Sequence, residues 1–131
     1  MEIKEDLFYT PTHEWAKKQG TNIRVGITDH AQHEISDIVH VELPEIDSKV
    51  KKGAACAVVE SVKAAFDIYA PVTGTITKIN QDLLQAPEKA NQDPYGGGWF
   101  FEIRPDNPDA ELKVLMKADA YKKFLSEAKP A

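Results

Sequence analysis

Cysteine, cationic charge and long apolar runs are all scarce in this chain. The single cysteine, Cys56, excludes an internal disulfide framework and any zinc site built on clustered thiolates. No apolar run approaches the roughly 20 residues of a membrane-spanning helix. Sixteen Lys and Arg stand against 21 Asp and Glu, a net charge of −5, which argues against a nucleic-acid or anionic-membrane partner, both of which want a basic surface. The first residues, Met1-Glu2-Ile3-Lys4-Glu5-Asp6, carry acids and no apolar stretch, and read as neither a signal nor a transit peptide. A cytoplasmic, acidic monomer is expected.

Enzyme signatures are missing as well. Gly96-Gly97-Gly98 precedes a β-like run rather than a helix, so it reads as a turn and not a phosphate loop. Ser36, Ser48, Ser61 and Ser126 have no nucleophile-elbow context. His30, His33 and Glu34 lack the HExxH spacing and an evident third ligand, so no metal site is expected. Cys56 lies among small apolar residues and reads as a core position.

What is present is one domain's worth of chain, 131 residues with 42% hydrophobic and 28% charged. Apolar runs rich in Val, Ile and aromatics recur at Ile23–Ile27, Ile38–Leu43, Ala57–Val59, Phe66–Tyr69, Thr75–Ile79 and Trp99–Ile103, separated by turn residues. The pattern predicts a mainly β domain, a small sandwich or flattened barrel over about 14–104. Helix is expected at the margins. Asp29 with Gln32 three residues on has the form of a capping box. Tyr121, Phe124, Leu125 and Ala128 make one apolar stripe of a C-terminal helical segment, about 108–128, that packs on the sheet. Val41-Glu42-Leu43-Pro44 and Ile68-Tyr69-Ala70-Pro71 form a weak internal echo.

Two features suggest function. Between Arg24 and Lys49 there is no Lys or Arg, while Asp29, Glu34, Asp37, Glu42, Glu45 and Asp47 accumulate. Such a stretch is either a solvated face or a docking surface for basic partners. From Gly53 to Thr77 the only cation is Lys63, between two β-like runs where a hairpin would turn, with Glu60 three before it and Asp67 four after. Position alone fits an ordinary turn lysine. It also fits an attachment lysine, exposed to a modifying enzyme and fixed on a firm scaffold.

Glu60-Ser61-Val62-Lys63-Ala64-Ala65, followed by Asp67-Ile68-Tyr69-Ala70-Pro71-Val72-Thr73-Gly74, closely resembles the lipoyl-lysine hairpin of glycine cleavage H proteins. Thr12-His13-Glu14-Trp15, Val25-Gly26-Ile27-Thr28-Asp29-His30-Ala31-Gln32, Val41-Glu42-Leu43-Pro44-Glu45 and Asp93-Pro94-Tyr95-Gly96 with Trp99 are similar to further blocks of that family, in order. The resemblance implies a lipoyl/biotinyl-type hybrid barrel-sandwich with pseudo-twofold halves, short helices and a C-terminal helix. It implies a non-catalytic carrier with lipoate bound as lipoamide on Lys63, and Glu60 and Ala64 recognised by a lipoate ligase or lipoyl transferase. The arm's cleft would be lined by Thr12, Glu14 and Asp67, and partners would dock at Asp29, Glu34, Asp37, Glu42 and Glu45.

The implied partners are glycine decarboxylase, aminomethyltransferase and dihydrolipoyl dehydrogenase. Departures from the family pattern are Ile35-Ser36-Asp37, His40 in place of an aromatic, Phe66 in place of a small residue, and Glu34 where some members have His. Phe66 and His40 are expected near the arm. They raise an alternative, an H-like carrier serving a heterodisulfide-reductase-like sulfur-oxidation complex or a lipoyl relay to 2-oxoacid dehydrogenases. A biotin carrier is disfavoured because Val62 and Ala64, not methionines, flank Lys63.

Overall fold

A computed structural model describes residues 2–127. Residues 8–105 are mainly β. A six-stranded antiparallel sheet has β1 (Phe8–Tyr9), β2 (Glu14–Gln19), β3 (Asn22–Ile27), β9 (Phe101–Pro105), β8 (Gly74–Ile79) and β5 (Lys49–Val50) in that order. A three-stranded antiparallel sheet has β4 (Ile38–Glu42), β6 (Ala55–Ser61) and β7 (Ala65–Tyr69). Short helices α1 (Asp29–Ile35), α2 (Asp82–Gln85), α3 (Lys89–Gln92) and α4 (Pro108–Lys113) fill the connections, and α5 (Ala118–Glu127) ends the described chain.

The sandwich follows from period-two alternation. Ile23, Val25 and Ile27 on β3, Ile76 on β8, and Phe101 and Ile103 on β9 face one core with Val41, Ala57, Val59 and Ile68 of the small sheet. Strand β2 alternates in the same way. Ala16 enters that core, while Trp15 turns to the other face and packs with Leu7, Tyr9, Ala118 and Tyr121 under α5. Helix α5 therefore does pack on the sheet. Of its expected stripe, Ala128 lies outside the described residues.

Each expected β run contains a strand, but the sheet begins earlier than residue 14. Strand β1 pairs with β2 through Phe8↔Ala16 and Tyr9↔Trp15. Strands β1 and β5 are two residues long, and the end of β2 is Lys-Lys-Gln, so none of them carries a strong apolar alternation. The helix start is corrected by one residue. Thr28, extended at φ −74° and ψ 166°, is the N-cap, and its hydroxyl accepts from Ala31 N–H at 3.1 Å. Asp29 is the first helical residue, and its carboxylate accepts from the Gln32 amide at 2.8 Å.

The echo falls on the ends of β4 and β7, the edge strands flanking β6. No described helix is long and apolar enough to cross a membrane.

Trp15 and Gly26 are cross-strand partners, and a Cβ built on Gly26 would lie 2.6 Å from the indole. The indole N–H donates to the Pro94 carbonyl at 2.9 Å, so the ring has no free direction to move. Gly26→Ala is expected to lower unfolding free energy by about 1–3 kcal/mol in urea melts, the usual cost of overpacking.

Candidate functional site

The β6–β7 hairpin carries Lys63 at its tip. Strands β6 and β7 pair from Ala55↔Tyr69 to Glu60↔Ala65, so Val62, Lys63 and Ala64 form the turn, all exposed. The turn is closed by Ser61. Its N–H donates to the Ala64 carbonyl at 2.9 Å, and its hydroxyl accepts from the Lys63 and Ala64 N–H groups at 3.1 and 3.2 Å. Ser61 is itself buried. A serine two residues before the turn's apex is a recognised turn-former, and that was the signal available for this role. The result is a free amine on a backbone that cannot wander.

Beside the hairpin lies a cleft of about 220 Å³. Its floor is apolar, formed by Ile27, Ala31, Ile35, Phe66 and Ile68, while Thr12, His13, Glu34 and Asp67 supply polar groups. The fold thus brings Thr12, Phe66 and Asp67 together as expected of a cleft, and adds Glu34 from the acidic stretch. Phe66 pairs with Val59 across the hairpin, which puts it on the core-facing side at the cleft's edge, where it is still exposed at 38%.

His40 is a correction. It is 54% exposed, cross-strand from Glu60, with Nε2 3.6 Å from Glu42 Oε2. The cause is a bulge between Ile38 and His40: Val39 is the extra residue, so Ile38 and Val41 face inward and His40 faces out, away from the cleft.

Glu14 is also displaced from the expected role of a lining residue. It is 1% exposed and stands behind Thr12. One carboxylate oxygen accepts from the hydroxyls of Thr10 and Thr12, both at 2.5 Å, and the other accepts from Tyr69 N–H at 3.2 Å. Burial raises its pKa, and these donors offset only part of that rise. Thr12 is the group through which this carboxylate meets the cleft.

The remaining acids are dispersed. Glu42, exposed and cross-strand from Val58, lies on the outer face of the small sheet. Asp37 and Glu45 are exposed in loops, and Glu34 lies 3.4 Å from His30 Nε2. Asp29 is committed locally, accepting from Glu2 N–H at 2.9 Å as well as from Gln32. Cys56 is half-buried, with its thiol pushed up to about 12 chiefly by burial and 3.6 Å from the Ile68 carbonyl, so it is not a reactive thiolate. Among the described residues, no group of three or more His, Cys, Asp or Glu could hold a metal ion. Sequence reasoning gave no site role to His13, Ile27, Ala31 and Ile35, which reach the cleft from distant segments.

A solved structure of a glycine cleavage system H protein from Mycobacterium marinum superposes with a TM-score of 0.86 at 34% identity, covering 95% of this chain and 99% of that one. The glycine cleavage H-protein family model matches residues 7–128. The chain belongs to the glycine cleavage H-protein family. The glycine cleavage system H protein of Thermus thermophilus is 53% identical over 98% of this chain and all of its own length. A probable glycine cleavage system H protein of Pyrococcus abyssi is 51% identical over 94% and 92%. Family membership makes this chain a non-catalytic carrier component of glycine cleavage.

The Glu14 environment has a measurable consequence. A carboxyl whose folded pKa is raised above its ordinary 4.5 binds its proton more tightly when folded. Its contribution to stability is therefore full below 4.5 and lost as pH rises through the folded value. Urea melts of wild type and Glu14→Gln across that range should show a falling contribution in the wild type that is absent in the variant.

Proposed function

We propose that lipoate is attached to Lys63 as lipoamide, and that the resulting arm carries glycine's aminomethyl group between partner enzymes, resting between visits in the cleft beside the hairpin. The observation that carries this reading is the joint placement of an exposed amine on a Ser61-locked turn and an adjoining apolar cleft rimmed by carboxylates. The residues present suit such a group. An acylated lysine loses its charge, and an apolar chain can lie over Ile27, Ala31, Ile35 and Ile68. When bound, the lipoyl group supplies a dithiolane that accepts the aminomethyl group as its disulfide is reduced.

The chain's own residues do the rest. Lysine plus lipoyl reaches on the order of 10–15 Å at ordinary bond lengths, enough to leave the tip for a partner's active site or fold back into the cleft. Phe66 and Ile68 exclude water from one side. Thr12, Glu34 and Asp67 offer an ammonium-bearing cargo hydrogen-bond acceptors and negative charge at the rim. Glu60, the last paired residue of β6, and Ala64, the turn residue after Lys63, are the proposed recognition points for a lipoate ligase or lipoyl transferase. Glycine decarboxylase, aminomethyltransferase and dihydrolipoyl dehydrogenase are the proposed partners, met at the separate acidic positions Glu34, Asp37, Glu42 and Glu45. Asp29 is assigned instead to holding the N-terminal segment through Glu2 N–H.

Two outcomes are expected. Co-expression with a lipoate ligase and lipoate should add one lipoyl group at Lys63 by intact mass and peptide mapping. Lys63→Arg should remove the label while changing stability by no more than about 0.5 kcal/mol, as for other exposed positions. Labelling elsewhere, or none while a known lipoyl domain is labelled, would sink the assignment. Transfer at sub-saturating carrier should slow with ionic strength, and Glu42→Gln with Glu45→Gln should flatten that dependence.

A further inference from the structure

The two walls of the cleft come from segments that do not touch each other in sequence. One is the turn holding Thr12 and His13, and the other is the end of β3 with helix α1, contributing Ile27, Ala31, Glu34 and Ile35. They meet at the end of the β2–β3 ladder, where Glu14 pairs with Ile27, and a residue from neither adds a further tie. The Tyr121 hydroxyl, on α5, lies 2.8 Å from His13 Nδ1 and 2.9 Å from Thr28 Oγ1, bridging sequence distances of 108 and 93 residues.

We propose that Tyr121 is a positioning residue for the carrier's cargo: its hydroxyl clamps the His13 turn to the α1 N-cap and so sets the width of the cleft. The proposal rests on the reading that the cleft holds the loaded arm. His13 has φ 72°, a left-handed conformation that a Cβ disfavours, in a turn closed by His13 N–H donating to the Thr10 carbonyl at 3.1 Å, and the phenol adds a side-chain tie to that turn. Thr28 is the cap of α1, with its hydroxyl accepting from Ala31 N–H, and its own N–H donates to the His13 carbonyl at 3.0 Å.

The hydrogens can be satisfied in either direction. In one, Thr28 O–H donates to the phenol oxygen, and the phenol donates to His13 Nδ1. Burial raises the Tyr121 pKa and, with His30 nearby, lowers that of His13. The phenol therefore keeps its proton and the imidazole is neutral; in the other tautomer Nδ1–H donates to the phenol oxygen and the phenol donates to Thr28 Oγ1, and both bonds stand in either case. The ring is held by a parallel stack on Tyr9, with centroids 4.5 Å apart and 3° between planes, and Phe124 lies 6.1 Å from the His13 ring. The C-terminal helix thereby governs a site at the opposite end of the sequence.

The test compares Tyr121→Phe with Tyr9→Phe. The first removes both hydroxyl bonds and keeps the stack. The second removes a different bond from the same stack, Tyr9 Oη to the Lys4 carbonyl at 2.7 Å. In the unmodified full chain, amide exchange at Thr28 and Ala31 should quicken about fivefold in Tyr121→Phe, the factor that one ordinary hydrogen bond represents, and stay at the wild-type rate in Tyr9→Phe. In the lipoylated chain loaded from glycine with a glycine decarboxylase, the cargo should be lost about fivefold faster in Tyr121→Phe alone, even where both variants melt earlier. Unchanged exchange or unchanged cargo lifetime in Tyr121→Phe, or equal changes in the two variants, would overturn the proposal. Should the wild-type chain refuse lipoate altogether, the carrier reading fails by itself, and the clamp stands or falls on amide exchange.

Discussion

The Ser61 hydroxyl, accepting from two backbone N–H groups at the hairpin tip, is the interaction on which the rest of the site depends. A long flexible arm searches usefully only from a fixed root, because motion at the root adds to the volume that must be searched. Ser61 fixes that root, and the β6–β7 ladder carries it down to Val59 and Ile68 in the sandwich core. An exposed lysine on a floppy loop would offer the same amine without a constant relation to any cleft.

Carrier function then requires two opposed properties close together, exposure for exchange and shelter for storage. In the proposed function the hairpin supplies the first and the cleft the second. The chain separates charge accordingly. Glu14 is buried in a network of Thr10, Thr12 and the Tyr69 N–H, where a carboxylate is costly and its pKa rises. Glu34 and Asp67 remain at the rim, where a negative charge can face a cationic cargo without desolvation. Phe66 lines one side of the cleft while remaining exposed, so its bulk shapes the cleft's edge.

Much of this was legible in the sequence for physical reasons. The period-two alternation of β3 and the small sheet marked the sandwich, and a lone lysine between two β runs marked the hairpin tip. The face on which His40 lies was not legible. A one-residue bulge at Val39 inverts the alternation, and nothing in Ile38-Val39-His40-Val41 announces it. Nor could sequence show that Glu14 hides behind Thr12. The cleft itself is assembled from residues between Thr12 and Ile68, with its walls tied by Tyr121, and such long-range placement is a property of packing rather than of local pattern.

In the proposed function one arm, rooted at Lys63, shelters its cargo in the cleft beside it. Backbone amide chemical shifts of the lipoylated chain, recorded before and after loading with glycine and a glycine decarboxylase, test it most directly. The predicted result is a set of changes concentrated at Thr12, His13, Ile27, Ala31, Ile35 and Phe66 to Ile68, with His40 and Glu42 on the outer face unmoved. Changes confined to the outer face, or to the Val62–Ala64 tip with none in the cleft, would contradict it.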